Sequence, residues 1–396
     1  MLFNSIQFGA FFIIVFCLYL ALRHKFKWQN RMLLVASYIF YGSWDWRFLS
    51  LIFISTILDY FCGIKIHKST ELHIRKRFLF LSIFINLSIL GFFKYFGFFT
   101  SSLADLFSLF GLLIQPYFLK VILPIGISFY TFQTMSYTID IYRKQMQPTS
   151  NFLDFALFVA FFPQLVAGPI ERARHLLPQI LSPRKLSLDK FYEGCYLIFW
   201  GLFMKVFVAD NLATIVNPIF AAGAPYSGTE VLLASYAFAF QILCDFAGYS
   251  TIARGLGKCM GFDIMVNFNL PYFAANPSEF WQRWHGSSVR IGFSFQLVCL
   301  GYLIFRASSI TQTYNMLISI LTNFQLHSVG LEHMASQIVF YIGVLVVVQI
   351  VQYCKNDQMI ILKSNILVKA IFYCICFYLL IMFGAGGGQE FIYFQF

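Results

Sequence analysis

Long apolar runs broken by short basic clusters dominate this 396-residue chain. Runs at 2–22, 78–99, 121–142, 231–253, 334–354 and 370–388 come close to or exceed the roughly 20 apolar residues that a helix needs to cross a bilayer's hydrocarbon core. Shorter or interrupted runs lie at 32–42, 48–64, 152–170, 192–208, 291–305 and 310–324. Helices that bury their polar ends against neighbours can be shorter, so some of these read as half-spanning or re-entrant pieces. The pattern predicts an all-α, polytopic integral membrane helix bundle with about 9–12 membrane helices.

The basic clusters give the bundle a direction, because Lys and Arg in short loops stay on the cytoplasmic side. They are Arg23, Lys25, Lys27 and Arg31, then Lys65, Lys68, Arg75, Lys76 and Arg77, then Arg143 and Lys144. With all three inside, 32–64 must double back near Ser43-Trp44-Asp45-Trp46, whose Trp pair suits a headgroup interface. By the same rule 78–99 leads out, 101–115 lies outside and 121–142 returns, which sets the N-terminus outside. The first run has no basic residue before it and no small-residue cleavage pattern after it, so it reads as a spanning helix and not as a removable signal. Within 152–170, Phe162-Pro163-Gln164 and Ala167-Gly168-Pro169 break the helix and predict a re-entrant turn. The Arg-bearing stretch from Glu171 to Lys185 then falls back on the cytoplasmic side. No repeat or linker divides the chain, so 1–396 reads as a single membrane-embedded domain.

Composition sharpens this picture. The chain is 59% hydrophobic, 20% aromatic and 11% charged, whereas a water-soluble domain carries about 25% charged residues. A soluble core is thereby excluded. The net charge of +11 is gathered between apolar runs and fits anionic lipid headgroups; a nucleic-acid partner would want a basic groove on a polar fold. The nine Cys form no CxxC pair and read as small core hydrophobes.

Ionisable groups within such runs are costly and therefore point to function. Asp245, in LCDFAGYS (243–250), must be paired, neutral or facing a wet cavity, and a structural bond to a neighbouring helix is the plain alternative. The stretch NPSEFWQRWHG (276–286) sets His285 among Trp281, Arg283 and Trp284. A free imidazole with a pKa near 6.5 can take the proton from a hydroxyl as it attacks a carbonyl, and aromatic neighbours exclude competing water. A His beside Trp also fits an interfacial role. There is no HExxH, phosphate loop, GxSxG or Cys/His metal spacing, and no metal or tightly bound cofactor is expected. A channel or secondary transporter would want paired inverted repeats, which are not visible.

Several blocks resemble the membrane-bound O-acyltransferase family, in the branch of alginate O-acetylation proteins. They are LPIGISFYTFQTMSYTIDIYR (123–143), FFPQLVAGPIERA (161–173), FWGLFMKVFVADNLA (199–213), FQILCDFAGYSTIARGLGKCMGF (240–262), NFNLPYFAANPSEFWQRWH (267–285) and GGGQEFIYFQF (386–396). The wording is more similar to alginate-type acetyltransferases than to D-alanyl ones. The resemblance implies a helix bundle around a central tunnel in the bacterial cytoplasmic (inner) membrane, where an acyl group from a cytoplasmic thioester donor (acetyl-CoA or an acyl carrier) meets a hydroxyl acceptor. It implies that His285 is catalytic, framed by Trp281, Arg283 and Trp284, with Asp245 and Tyr249 supporting the tunnel. An exported or surface polysaccharide is the implied acceptor, with membrane lipids and extracellular acetyltransferases as partners and no nucleic acid.

One departure belongs to the same resemblance. The family continues after FWxRWH with a loop and a second His in a GLWHG-like block. Here GSSVR (286–290) follows, and FQLVCLGYLIFRA (295–307) resembles a block found well beyond that His. The resemblance thus implies that a family segment is absent between about 286 and 294. A catalytically inactive scaffold or acyl-group transport component is the alternative reading.

Overall fold

The computed structural model describes residues 1–111, 124–166, 168–169, 171–221, 223–273, 288–325, 329–386 and 392. Among them the regular elements are all helical. In chain order they are α1 (Ile6–Ala21), α2 (Phe26–Asp45), α3 (Leu49–Lys68), α4 (Leu72–Leu109), α5 (Ile127–Tyr142), α6 (Phe152–Ala160), α7 (Phe162–Leu165), α8 (Ala173–Leu181), α9 (Leu188–Leu202), α10 (Asp210–Phe220), α11 (Gly228–Cys259), α12 (Ser288–Arg306), α13 (Ile310–Thr322), α14 (Val329–Lys355), α15 (Ile360–Lys363) and α16 (Ile366–Phe383). Among the described residues, six stretches are long and apolar enough to cross a membrane: Phe26–Lys68, Leu72–Gly97, Leu188–Phe220, Gly228–Cys259, Gly330–Lys355 and Ile366–Phe383; α1 and Ser294–Arg306 are shorter apolar helices. Only 17% of Ile366–Phe383 is buried within the protein. Apolar surface on that scale is stable only against hydrocarbon, and the chain is a multi-pass membrane protein.

The chain divides into two compact units, Met1–Gly194 with Leu256–Met265, and Cys195–Gly255 with Val266–Phe396. In the first, the expected reversal at Ser43–Trp46 is present: α2 ends at Asp45, whose extended backbone and side-chain bond to the Arg47 N–H start a single 3₁₀ turn before α3. The 152–170 run breaks at Phe161 into α6 and α7, both buried and too short to cross. Two expectations change. Helix α4 does not end near 99 but runs on to Leu109, because no breaker intervenes before Gly111 at φ +76°. Helix α5 begins only at Ile127, after Pro124 and a left-handed Gly126 at φ +74° that side chains rarely adopt.

Helices α3, α4 and α5 pack closely, and a Cβ at Gly63 would lie 2.7 Å from the Tyr137 ring. Their contact is polar at its centre. Buried Asp59 accepts from Ser82 Oγ at 2.6 Å and from Asn86 Nδ2 at 2.9 Å, and Ser82 also meets Thr138 at 3.0 Å. Elsewhere in this unit Arg184 reaches Asn30 Oδ1 at 2.6 Å, Gln29 Oε1 at 3.0 Å and the Tyr19 hydroxyl at 3.0 Å, tying α1 and α2 to the segment after α8. The second unit is built on an apolar core along α9 to α11, with Trp200, Phe203, Phe207 and Phe238 at its centre.

Candidate functional site

Of the residues the sequence singles out, Trp281, Arg283, Trp284 and His285 lie outside the described residues. Asp245 and Tyr249 lie within the second unit, one turn apart on α11 and both buried. That spacing sets them on one face. The face meets Lys205, which the sequence reading passes over.

Lys205 sits in a π-helical turn, Phe203–Ala209, that joins α9 to α10. In a regular α-helix positions 205 and 210 would be about 140° apart. The wider i→i+5 turn, closed by the Asp210 N–H on the Lys205 carbonyl, stacks them on one side. The Lys205 Nζ then lies 2.7 Å from Asp210 Oδ1 and 2.7 Å from Asp245 Oδ1, all three side chains at most 4% exposed. The Tyr249 ring centroid is 5.5 Å from the same ammonium. Asp245 is thus ion-paired, one of the outcomes its position allows. Close approach of α9 and α11 makes this possible: a Cβ at Gly201 would lie 2.6 Å from the Gly248 carbonyl oxygen.

The cluster also bonds a residue near the C-terminus. Asp245 Oδ2 accepts from the backbone N–H of Ile392 at 2.6 Å. The Val206 carbonyl accepts from Ala385 N–H at 3.3 Å, and Asn211 Nδ2 donates to the Phe383 carbonyl at 2.8 Å. Two carboxylates around one ammonium make a clamp between the 203–210 turn and α11. On the opposite face of α11, Leu243, Ala247 and Arg254 border a cavity of about 50 Å³ together with Trp200, Phe268 and Gln349. It has room for water-sized molecules but not for a sugar. Phe268 and Pro271 also line it.

A second polar site lies in the first unit, at the end of the FFPQLVAGPIERA block. Buried Glu171 accepts from the Met265 N–H at 2.5 Å and meets His175 Nδ1 at 2.8 Å. Burial raises the Glu171 carboxyl above its usual range, while those two contacts pull it back. Gln179 bonds the backbone of Asp263 both ways, at 2.8 and 2.9 Å, so α8 grips the 263–265 segment that follows α11. Among the described residues, no three of His, Cys, Asp or Glu gather to hold a metal ion.

The missed residues carry a sequence signal. Lys205 is the lone basic residue of the 192–208 run, and Asp59 the lone charge of 48–64. Single charges in apolar runs demand a partner, and only the fold supplies its identity.

No family model matches the chain. Over 261 residues it is 43% identical to the "Probable alginate O-acetylase AlgI" of Pseudomonas aeruginosa, a match covering 65% of this chain and 49% of that protein. It is 35% identical over 281 residues to the peptidoglycan O-acetyltransferase of Helicobacter pylori, covering 64% and 52%. It is 30% identical over 172 residues to the teichoic acid D-alanyltransferase of Bacillus subtilis, covering 41% and 42%. The chain spans about half the length of the curated relatives it matches.

Proposed function

We propose that the chain belongs to the membrane-bound O-acyltransferases over its matched residues and that it O-acetylates an exported or cell-surface polysaccharide. The observation that carries this reading is the 43% identity over 261 residues to an alginate O-acetylase, against 30% over a shorter span to a D-alanyltransferase. Acceptors of the alginate kind are the ones this pattern favours, with an acetyl thioester as donor.

In this reading His285 is the general base. Its neutral imidazole takes the proton of a sugar hydroxyl as that oxygen attacks the thioester carbonyl. The tetrahedral intermediate collapses by breaking the C–S bond, and the proton passes to the departing thiolate. One ester forms, one thioester breaks, and the imidazole is neutral again. Trp281 and Trp284 keep water from the acyl group, since water would hydrolyse it, and Arg283 orients the acceptor or donor. The clamp of Lys205, Asp210 and Asp245 fixes the 203–210 turn to α11, with Tyr249 packed against it.

The donor reaches the site from the cytoplasm and the acceptor from outside, with the chain in the bacterial inner membrane and its N-terminus outside. The basic clusters between apolar runs support that orientation. Extracellular acetyltransferases that receive or extend the modification are the fitting partners. That GSSVR (286–290) follows His285 where the family carries on toward a second His in a GLWHG-like block favours a second reading, a scaffold or acyl-transport component without chemistry of its own. Cells carrying only this chain separate the two: O-acetyl content of their polysaccharide rises with the native chain and falls to background with His285→Ala. Background content with both leaves the scaffold, and equal acetylation with both removes His285 from the mechanism.

A further inference from the structure

A second site of defined chemistry lies in the first unit, away from the clamp. The last turns of α3 and α5 and the first turn of α4 enclose a cavity of about 630 Å³. Its floor is apolar, made by buried Ile66 and Ile141. Its rim carries the cations of Arg75 and Lys144 and the imidazole of His67, and between them stand the hydroxyls of Ser69 and Thr70. No acidic side chain is among the described lining residues. Glu71, next in the chain, is engaged by His73 at 3.2 Å.

Two features show that this rim is built. The Arg75 guanidinium is half-buried, lies 5.2 Å from the Tyr142 ring centroid and donates to the Tyr142 carbonyl, which fixes its plane beside the cavity. Lys144 holds φ +60° at the end of α5. There its N–H bonds the Ile141 carbonyl at 3.0 Å, and the Gln145 N–H bonds that of Asp140 at 2.9 Å, the pair of bonds that closes a helix with a left-handed residue. Gly or Asn fills that position at least steric cost. A lysine there carries its charge to the rim despite the strain. Basic residues at the ends of α3 and α5 also complement those helix dipoles, but a dipole needs neither a cavity nor a left-handed lysine.

We propose that this cavity binds a phosphate-bearing anion. Three cationic or imidazole groups and two hydroxyls match phosphate oxygens, and the volume leaves space for the organic group attached to it. The spans Phe26–Lys68 and Leu72–Gly97 end and begin at this cavity, so it lies where bilayer headgroups meet water. The phosphate comes from an anionic lipid headgroup or from a soluble phosphate ester, and the site stands independently of the acyl-transfer reading.

The test uses the purified full chain in nanodiscs of phosphatidylcholine. One arm adds phosphatidylglycerol to the bilayer, the other adds inorganic pyrophosphate to the buffer, and the thermal midpoint reports binding through mass action. Lys144→Asn keeps a residue that tolerates the left-handed turn while removing the charge; Arg75→Gln removes the second. The native chain is stabilised by at least one probe, and each variant weakens that probe's apparent affinity about five-fold. A response to phosphatidylglycerol alone assigns a lipid headgroup, and a response to pyrophosphate assigns a soluble phosphate. The proposal is overturned if neither probe shifts the native chain, or if Lys144→Asn, folded with a native midpoint in neutral lipid, responds as the native chain does.

Discussion

Lys205 decides whether two carboxylates can stay buried in the second unit. Removing it leaves Asp210 and Asp245 together without a cation, and an uncompensated buried charge costs roughly 3–5 kcal/mol. Lys205→Ala is therefore strongly destabilising in detergent unfolding. Asp245→Asn retains an acceptor for the Ile392 N–H and leaves the Lys205–Asp210 pair, so it costs clearly less; the reverse order would contradict the arrangement. Glu171 gives a pH-dependent prediction. Its pKa is raised in the fold, so its contribution is fully present below the unfolded value near 4.3 and is lost as pH rises through the folded one. The midpoint of the native chain relative to Glu171→Gln thus declines from acid toward neutral pH, and a difference that grows with pH would refute the assignment. At this scale the sequence was partly legible: the apolar setting of Asp245 marked it as needing a partner, but Lys205 lies 40 positions away and only the fold brings it near.

At the scale of elements, most apolar runs became helices close to where they were expected, because hydrocarbon leaves a backbone no other way to satisfy its own polar groups. The exceptions have local causes. Helix α5 started late because Pro124 and left-handed Gly126 end the preceding turn, and α4 ran on for want of a breaker. The π turn at Phe203–Ala209 had no legible signature, since its apolar composition suits an α-helix equally well; the 205–210 pairing stabilises it. The α9–α11 contact depends on small residues. Gly201→Ala pushes a methyl against the Gly248 carbonyl and costs roughly 1–3 kcal/mol. Gly343→Ala on α14, where a Cβ meets nothing within 4 Å, changes stability by less than about 0.5 kcal/mol. Equal effects in thermal unfolding would remove the close approach as the cause.

For the whole molecule, composition alone named the solvent, since a chain of 59% hydrophobic residues with 11% charge must meet lipid. The proposed reaction class rests on blocks such as FWQRWH, because no geometry of nucleophile, base and oxyanion donor can be read from spacing in a membrane bundle. The clamp, the grip of α8 on 263–265 and the cationic cavity are tertiary arrangements of residues that are unremarkable in their own segments.

That chemistry is tested most directly by sided membrane vesicles given a membrane-impermeant, acetyl-labelled thioester in the bath. Inverted vesicles, whose cytoplasmic face meets the bath, incorporate label into polysaccharide as an ester. Right-side-out vesicles do not, and His285→Ala abolishes incorporation in both. Label that appears equally with His285→Ala, or no label with the native chain in inverted vesicles, would contradict the account.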